Sequence, residues 1–214
     1  MARPFVIAYH LIWTAYGWWL PNDPRGSTSR GVADGRIARL GPHHCGRRAQ
    51  LPPLEALDAF YREADGVLKF ERLSLRPQAA RCVAEAIGIT VRAKRYTCYA
   101  CAILPDHVHL VIRKHRDKAE DMIEALQSVS RLRLTSAGLR PAGHPVWASG
   151  GWKGFLDHPD AVRRTIAYIE DNPTKQHLPR QTWPFVVPYD GWPLHPGHDP
   201  ASPYARRLRG QRPG

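Results

Sequence analysis

The sequence is short of several things, and each shortage excludes something. No apolar run in its 214 residues approaches the roughly 20 that a membrane-spanning helix needs. The opening MARPFVIAYHLIW has no charged n-region, no distinct apolar core and no small-residue cleavage site. No signal peptide is expected, and the chain reads as soluble and cytoplasmic. Acidic residues are scarce: 19 Asp and Glu stand against 31 Lys and Arg, a net charge of +12. That excess calls for a polyanionic partner, nucleic acid first and an anionic membrane surface second, and charge alone does not separate them. Cysteines number 4, and only Cys98 and Cys101 form a CxxC. His43, His44 and Cys45 make a poor second half for a zinc ribbon, and the flanks TCYACAIL look like strand. Buried thiols are the expected outcome. There is no internal repeat.

What is present is an ordinary globular composition, 43% hydrophobic, in a chain long enough for one domain with a core that needs no disulfides. PFVIAYHLIWT (4–14) is rich in β-branched and aromatic residues and predicts a strand. Residues 17–48 are dense in Gly, Pro, Arg and Ser and predict loop. PLEALDAFYREADGVL (53–68) has helical spacing at Leu54, Leu57 and Tyr61. PQAARCVAEAIGITVRAK (77–94) predicts a helix with Pro77 in its first turn. Strands follow at 96–104 and 107–113, joined by a Pro105–Asp106 turn. Residues 117–134 predict a helix with an apolar stripe of Met122, Ile123, Leu126 and Val129, acids at its start and arginines at its end. Residues 144–157 can supply an edge strand or hairpin. The last predicted helix, 158–173, has Pro159 in its first turn and closes at Asn172 before Pro173.

Without the insertion at about 17–76, the order is β-α-β-β-α-β with a final helix. That is the split βαβ pattern of an α+β, ferredoxin-like or RRM-like fold, with an antiparallel sheet and the first and third strands as central neighbours. The expected division is one domain over 1–180 and a Pro/Arg-rich tail over 181–214, whose end, YARRLRGQRPG, reads as a mobile basic tail.

The stretch LPDHVHLVI (104–112) carries the first chemical signal. On a strand, i and i+2 share a face, so His107 and His109 project together while Val108, Leu110 and Ile112 project into a core. Two imidazoles on one rigid strand suit a divalent metal but supply only two ligands. A coincidental pair in a chain with 11 histidines is the alternative. Other HxH enzymes fit less well. Metallo-β-lactamase-type sites continue HxHxDH, and amidohydrolase barrels need a longer chain. On the last helix, Val162, Ile166 and Ile169 form a core face, and Thr165, Tyr168 and Asn172 form a stripe beside it. Tyr168 and Asn172 are i and i+4, so their side chains meet. A phenol and an amide one turn apart could serve one site, or be a core-edge tyrosine and a helix-ending asparagine.

Taken together, ILPDHVHLVI and VW…FLDHPDAVRRTIAYIEDNPTKQHL resemble the HUH single-tyrosine transposases, most closely the REP-associated branch. AYHLIWTAYGWWLPNDPRGS resembles the opening of a transposase-like subgroup that starts YHLxWxTYGxWLPxDPRG. The likeness spans about 5–26 and 96–178. It implies that His107, His109 and Asn172 bind a divalent metal, Mg²⁺ or Mn²⁺, and that Tyr168, on the last helix, is the nucleophile. Insertion-sequence members tend to carry glutamine where this chain has Asn172, and the REP-associated branch is the better fit. His10, on the first strand, should lie near the histidine strand, with its role open.

The implied function is a DNA endonuclease and strand transferase. Free tyrosine, with a pKa of about 10, is a weak nucleophile at neutral pH. A metal would polarise and orient the phosphate, and attack by Tyr168 would leave a 5′-phosphotyrosine and a free 3′-OH. Activity is expected to fall below about pH 6, as the histidines protonate. The substrate would be single-stranded or hairpin DNA, with no membrane partner and the protein acting as monomer or homodimer. Trp18, Trp19, Trp147 and Trp152 are candidates for base stacking. Arg113, Lys114, Arg131, Arg133 and Lys175 are candidates for backbone contacts. The rivals are a domesticated hairpin DNA-binding protein that does not cut and a hydrolytic metal-dependent nuclease that would not need Tyr168.

Overall fold

The computed structural model describes residues 6–192 except 28, 30, 47–49 and 142. The elements run β1 (Ala8–Thr14), α1 (Gly35–Ala38), α2 (Leu54–Val67), α3 (Pro77–Lys94), β2 (Cys98–Ile103), β3 (His107–Arg113), α4 (Ala119–Ser136), β4 (Trp152–Leu156) and α5 (Pro159–Lys175). The four strands form one antiparallel sheet in the order β2-β3-β1-β4. This is the expected α+β arrangement, with β1 and β3 central.

Alternation along the strands sorts the two faces. Tyr9, Leu11 and Trp13 of β1 and Val108, Leu110 and Ile112 of β3 point to the face covered by α3 and α4, in the main core. Each such side chain contributes roughly 1.5–3 kcal/mol by leaving water. Ala8 and Val111 lie on the other face with Val162 and Ile169 of α5. A bulge between Cys98 and Ala100 shifts the register, so Cys98 and Cys101 both enter the main core while Tyr99, Ala100 and Ala102 face α5. Both thiols are buried and free. Burial pushes the Cys98 thiol up to about 12 and Cys101 well above its ordinary value, so both stay protonated and inert.

The structure departs from the sequence reading in three places. The helix predicted to close at Asn172 continues through Pro173 to Lys175. Ile169, Asn172 and Pro173 are all buried, and their packing outweighs the local preference of a residue before proline. Leu54 opens α2 but is exposed, and Phe60, Tyr61 and Ala64 supply its buried face. Residues 17–48, read as loop with little regular structure, carry among the described residues the four-residue helix α1 and a bridge between Ser27 and Cys45, in line with that reading. Residues 181–192, read as the start of a tail, lie against the domain. The Gln181 side-chain amide pairs with both backbone groups of Ile103, Val186 bridges to Cys98, and Phe185 enters the main core. That segment covers the outer edge of β2. The basic end of the expected tail lies outside the described residues. Among the described residues no helix is long and apolar enough to cross a membrane.

The insertion has its own small core. Leu20, Phe60, Tyr61 and Ala64 are buried together, with Trp18, Ile37 and Leu57 packed around them. A buried cluster ties its first loop to α2. Arg25 grips Asp23 through both carboxylate oxygens, at 3.0 and 2.7 Å, and its Nη2 donates to the Tyr61 hydroxyl at 2.8 Å. The Tyr61 hydroxyl donates to Asp23 and accepts from the Trp19 backbone N–H at 2.9 Å. Trp19 is thereby held at a φ of +54°, rare for a residue with a side chain.

Candidate active site

The α5 face of the sheet carries a row of aromatic rings. Register places His10 opposite Val111 and Ile12 opposite His109, so His10, His107 and His109 share that face. His107 Nε2 lies 2.9 Å from His109 Nε2, and His109 Nδ1 lies 3.0 Å from His10 Nε2. At the far end His107 Nδ1 lies 2.6 Å from Asp106 Oδ1. Trp19 meets His107 edge-on at 6.2 Å, and Trp152 meets His10 edge-on at 5.4 Å. Over the row hangs Tyr168 of α5, 5.7 Å from His109 and 6.3 Å from His10 between ring centroids. Tyr168 is 41% exposed while all three histidines are buried, so the phenol is reachable from solvent.

One set of protons satisfies the row with every ring neutral. His10 Nε2–H donates to His109 Nδ1, His109 Nε2–H donates to His107 Nε2, and His107 Nδ1–H donates to Asp106. Burial brings His10 down to about 4 and His109 well below the ordinary imidazole value. Burial alone would raise the Asp106 carboxyl. The hydrogen bond from His107 and the nearby positive charge of Arg25 outweigh it and hold Asp106 below the usual carboxylate range.

Among the described residues no group of three or more His, Cys, Asp or Glu side chains is disposed to hold a metal. His10 fails as a third ligand because its Nε2 faces the outer nitrogen of His109. The histidine pair remains, and the amide of Asn172, the third ligand that the resemblance implies, is buried one turn beyond Tyr168 with its Nδ2 lacking a partner. The pair fits a small cation. Adjacent ligands around an octahedral ion with ~2.1 Å bonds are ~3.0 Å apart, and the two Nε2 atoms are 2.9 Å apart. Each ring also has an outer partner on Nδ1, Asp106 for His107 and His10 for His109, as metal-binding imidazoles require. Freeing both Nε2 lone pairs takes two tautomer shifts: the His109 proton moves from Nε2 to Nδ1, and the His10 proton moves from Nε2 to Nδ1 so that His10 Nε2 accepts from His109.

The row forms one wall of a cleft of about 1170 Å³. Ala161, Arg164, Thr165 and Tyr168 of α5 form another, residues 145–152 a third, and the insertion, from Trp18 to Gly46, the last.

The other sequence candidates fall in different places. Lys175 lies 5.4 Å from the Tyr168 ring. Arg113 stacks 4.3 Å over Trp192, and Lys114 binds the Tyr9 hydroxyl, both at the end of β3 opposite His107. Arg131 and Arg133 are on α4, behind the sheet, where Arg133 pairs with Glu85 at 3.0 Å. Trp18 and Trp147 are packing residues, with indole N–H groups donating to Leu73 O and to Gln127 O and Ser130 Oγ. The sequence reading took Asp106 as a turn residue and a part of the LPDHVHLVI motif, without a role at the site, and missed Arg164. The signal for Asp106 was its place directly before His107. Arg164 sits one helical turn before Tyr168 and shares its face.

No family model matches the chain, and no curated protein matches it. Eight chains of solved structures are similar, two transposases among them. One is a REP-associated tyrosine transposase bound to a REP hairpin, at 13% identity and a TM-score of 0.47 over 86% of this chain and 79% of that one. The other is a candidate transposase from Deinococcus radiodurans R1, at 14% identity and a TM-score of 0.41 over 80% of this chain and 94% of that one. Identities this low carry no residue roles across.

Proposed function

We propose that this chain is a transposase-like DNA endonuclease and strand transferase that cuts single-stranded or hairpin DNA through Tyr168. The observation that carries the reading is the position of that phenol, exposed over a buried histidine pair whose Nε2 atoms are 2.9 Å apart. A hydrolytic nuclease has no use for a tyrosine there, and a passive binder has no use for two buried imidazoles held by outer partners.

In this reading Tyr168 Oη attacks a backbone phosphorus. The Oη–P bond forms, the bond to the 3′ oxygen breaks, the phenol loses its proton and the 3′ oxygen gains one. The products are a 5′-phosphotyrosine and a free 3′-OH. The new ester conserves the free energy of the phosphodiester, so a 3′-OH can attack it and release Tyr168 without ATP. His107, His109 and Asn172 would hold Mg²⁺ or Mn²⁺, and the bound ion would supply Lewis acidity at a phosphate oxygen. Asp106 and His10 fix the orientation of the two imidazoles. Arg164 and Lys175, beside Tyr168, offer positive charge to the strand.

The test is a cleavage assay on end-labelled hairpin DNA from the flanks of its own gene, with Mn²⁺, on a denaturing gel. Wild type should give a slow-migrating covalent adduct that Tyr168→Phe does not. Cleavage without adduct that survives in the variant would make the protein a hydrolytic nuclease. Tight binding with neither would make it a binder.

A further inference from the structure

We infer that Trp152 is a stacking platform for the unpaired nucleobase beside the phosphate that Tyr168 attacks, an assignment that rests on the strand-transfer reading above. The cleft is far larger than a phosphate needs, since volumes of about 300–1,000 Å³ hold whole drug-sized ligands. The histidine row therefore fills only part of it, and what flanks the row decides what else the cleft admits.

The two ends of the row differ. At one end Trp19 has a face covered by the Arg25 guanidinium, 3.8 Å from the ring centroid. At the other end Trp152 is 42% exposed. Its position is built by a glycine. Trp152 and Gly154 are i and i+2 on β4, paired with Ile12 and His10 of β1, so both lie on the histidine face. A Cβ on Gly154 would stand 2.6 Å from Trp152 Cη2, 2.9 Å from Cζ3 and 3.4 Å from His10 Cβ. The indole thus lies across the bare backbone of Gly154, in the space a side chain would take, with its edge toward His10.

An exposed indole fixed in this way beside a candidate phosphate site, in a chain of net charge +12, matches the chemistry of unpaired DNA. Any base has a π-face and stacks on tryptophan with little regard to sequence, while a base held in duplex is already stacked on its neighbours. The platform thus favours unpaired over paired DNA at the reacting nucleotide.

The experiment uses full-length Tyr168→Phe protein, so that no cleavage intervenes, and a single-stranded oligodeoxynucleotide carrying one 2-aminopurine, whose fluorescence falls when it stacks on an indole. Binding should quench it. Adding Trp152→Ala should abolish the quench and weaken binding about 5- to 150-fold, the range for losing one base stack. Trp152→Phe should retain most of the affinity. Gly154→Ala should weaken binding as Trp152→Ala does, because its methyl displaces the ring while the tryptophan remains. An unchanged melting temperature checks that each variant folds, and affinity for blunt duplex should be the same in all. Full quench and affinity in Trp152→Ala, or equal losses on duplex, would overturn the platform. The two readings fail separately. A Trp152-dependent quench in a protein that forms no adduct would sink only the transferase. An adduct with a Trp152-independent quench would sink only the platform.

Discussion

Tyr168 stands almost perpendicular to the His109 imidazole, at an interplanar angle of 87° and 5.7 Å between ring centroids. The two residues lie on different elements, and packing of α5 on the sheet brings them together. Val162 and Ile169 anchor that packing. Because Tyr168 is 41% exposed, removing its hydroxyl should cost the fold little. Tyr168→Phe is therefore expected to keep wild-type melting and DNA affinity while losing all covalent product. Calorimetry and filter binding check the first part, and a denaturing gel checks the second.

The outer partners of the histidine pair should matter for metal affinity. Asp106→Asn and His10→Phe each remove one group that orients a ligand ring, and each should weaken Mn²⁺ binding about 10- to 100-fold by titration calorimetry. His107→Ala and His109→Ala should abolish it. Equal Mn²⁺ affinity in wild type and Asp106→Asn would contradict the assignment.

Acid should destabilise the metal-free protein through His10. Its folded value is about 4, against an ordinary imidazole value of about 6.5. Below pH 6.5 the unfolded chain takes up a proton that the folded chain does not, so stability falls with falling pH. The loss reaches about 2 kcal/mol by pH 5, levels off below about 4, and is absent above pH 7. Urea unfolding in chelator at pH 7 and pH 5 measures it, and His10→Phe should show a smaller difference. The same burial moves protonation of His10 and His109 below the pH 6 expected of ordinary imidazoles, so the acid limb of activity should lie lower than sequence alone suggests.

The Asp23–Arg25–Tyr61 cluster should behave as a unit. Asp23 is fully buried, so Arg25→Ala strands a carboxylate and should cost about 3–5 kcal/mol. Tyr61→Phe removes a hydroxyl with three partners and should cost about 1–3 kcal/mol. Asp23→Ala with Arg25→Ala should cost less than the sum of the two single changes, measured as denaturant midpoints.

Much of this was legible in the sequence because it depends on local period. The i, i+2 rule placed His107 and His109 on one face. The 3.6-residue period set Tyr168 and Asn172 beside the core stripe of α5, and Pro77 marked the start of α3. What was not legible depends on contacts across the chain. That His10 meets His109 follows from strand register, that Trp19 meets His107 from a loop locked by Tyr61, and that Trp152 takes the space over Gly154 from a missing side chain two residues on. The end of α5 was misread because burial of Pro173 overrides its local preference.

The most direct measurement is mass spectrometry of the protease-digested protein after reaction with hairpin DNA and Mn²⁺, followed by nuclease trimming. One modified peptide is expected, containing Tyr168 and carrying a nucleotide through its 5′-phosphate. DNA cut to completion with the Tyr168 peptide unmodified would contradict it.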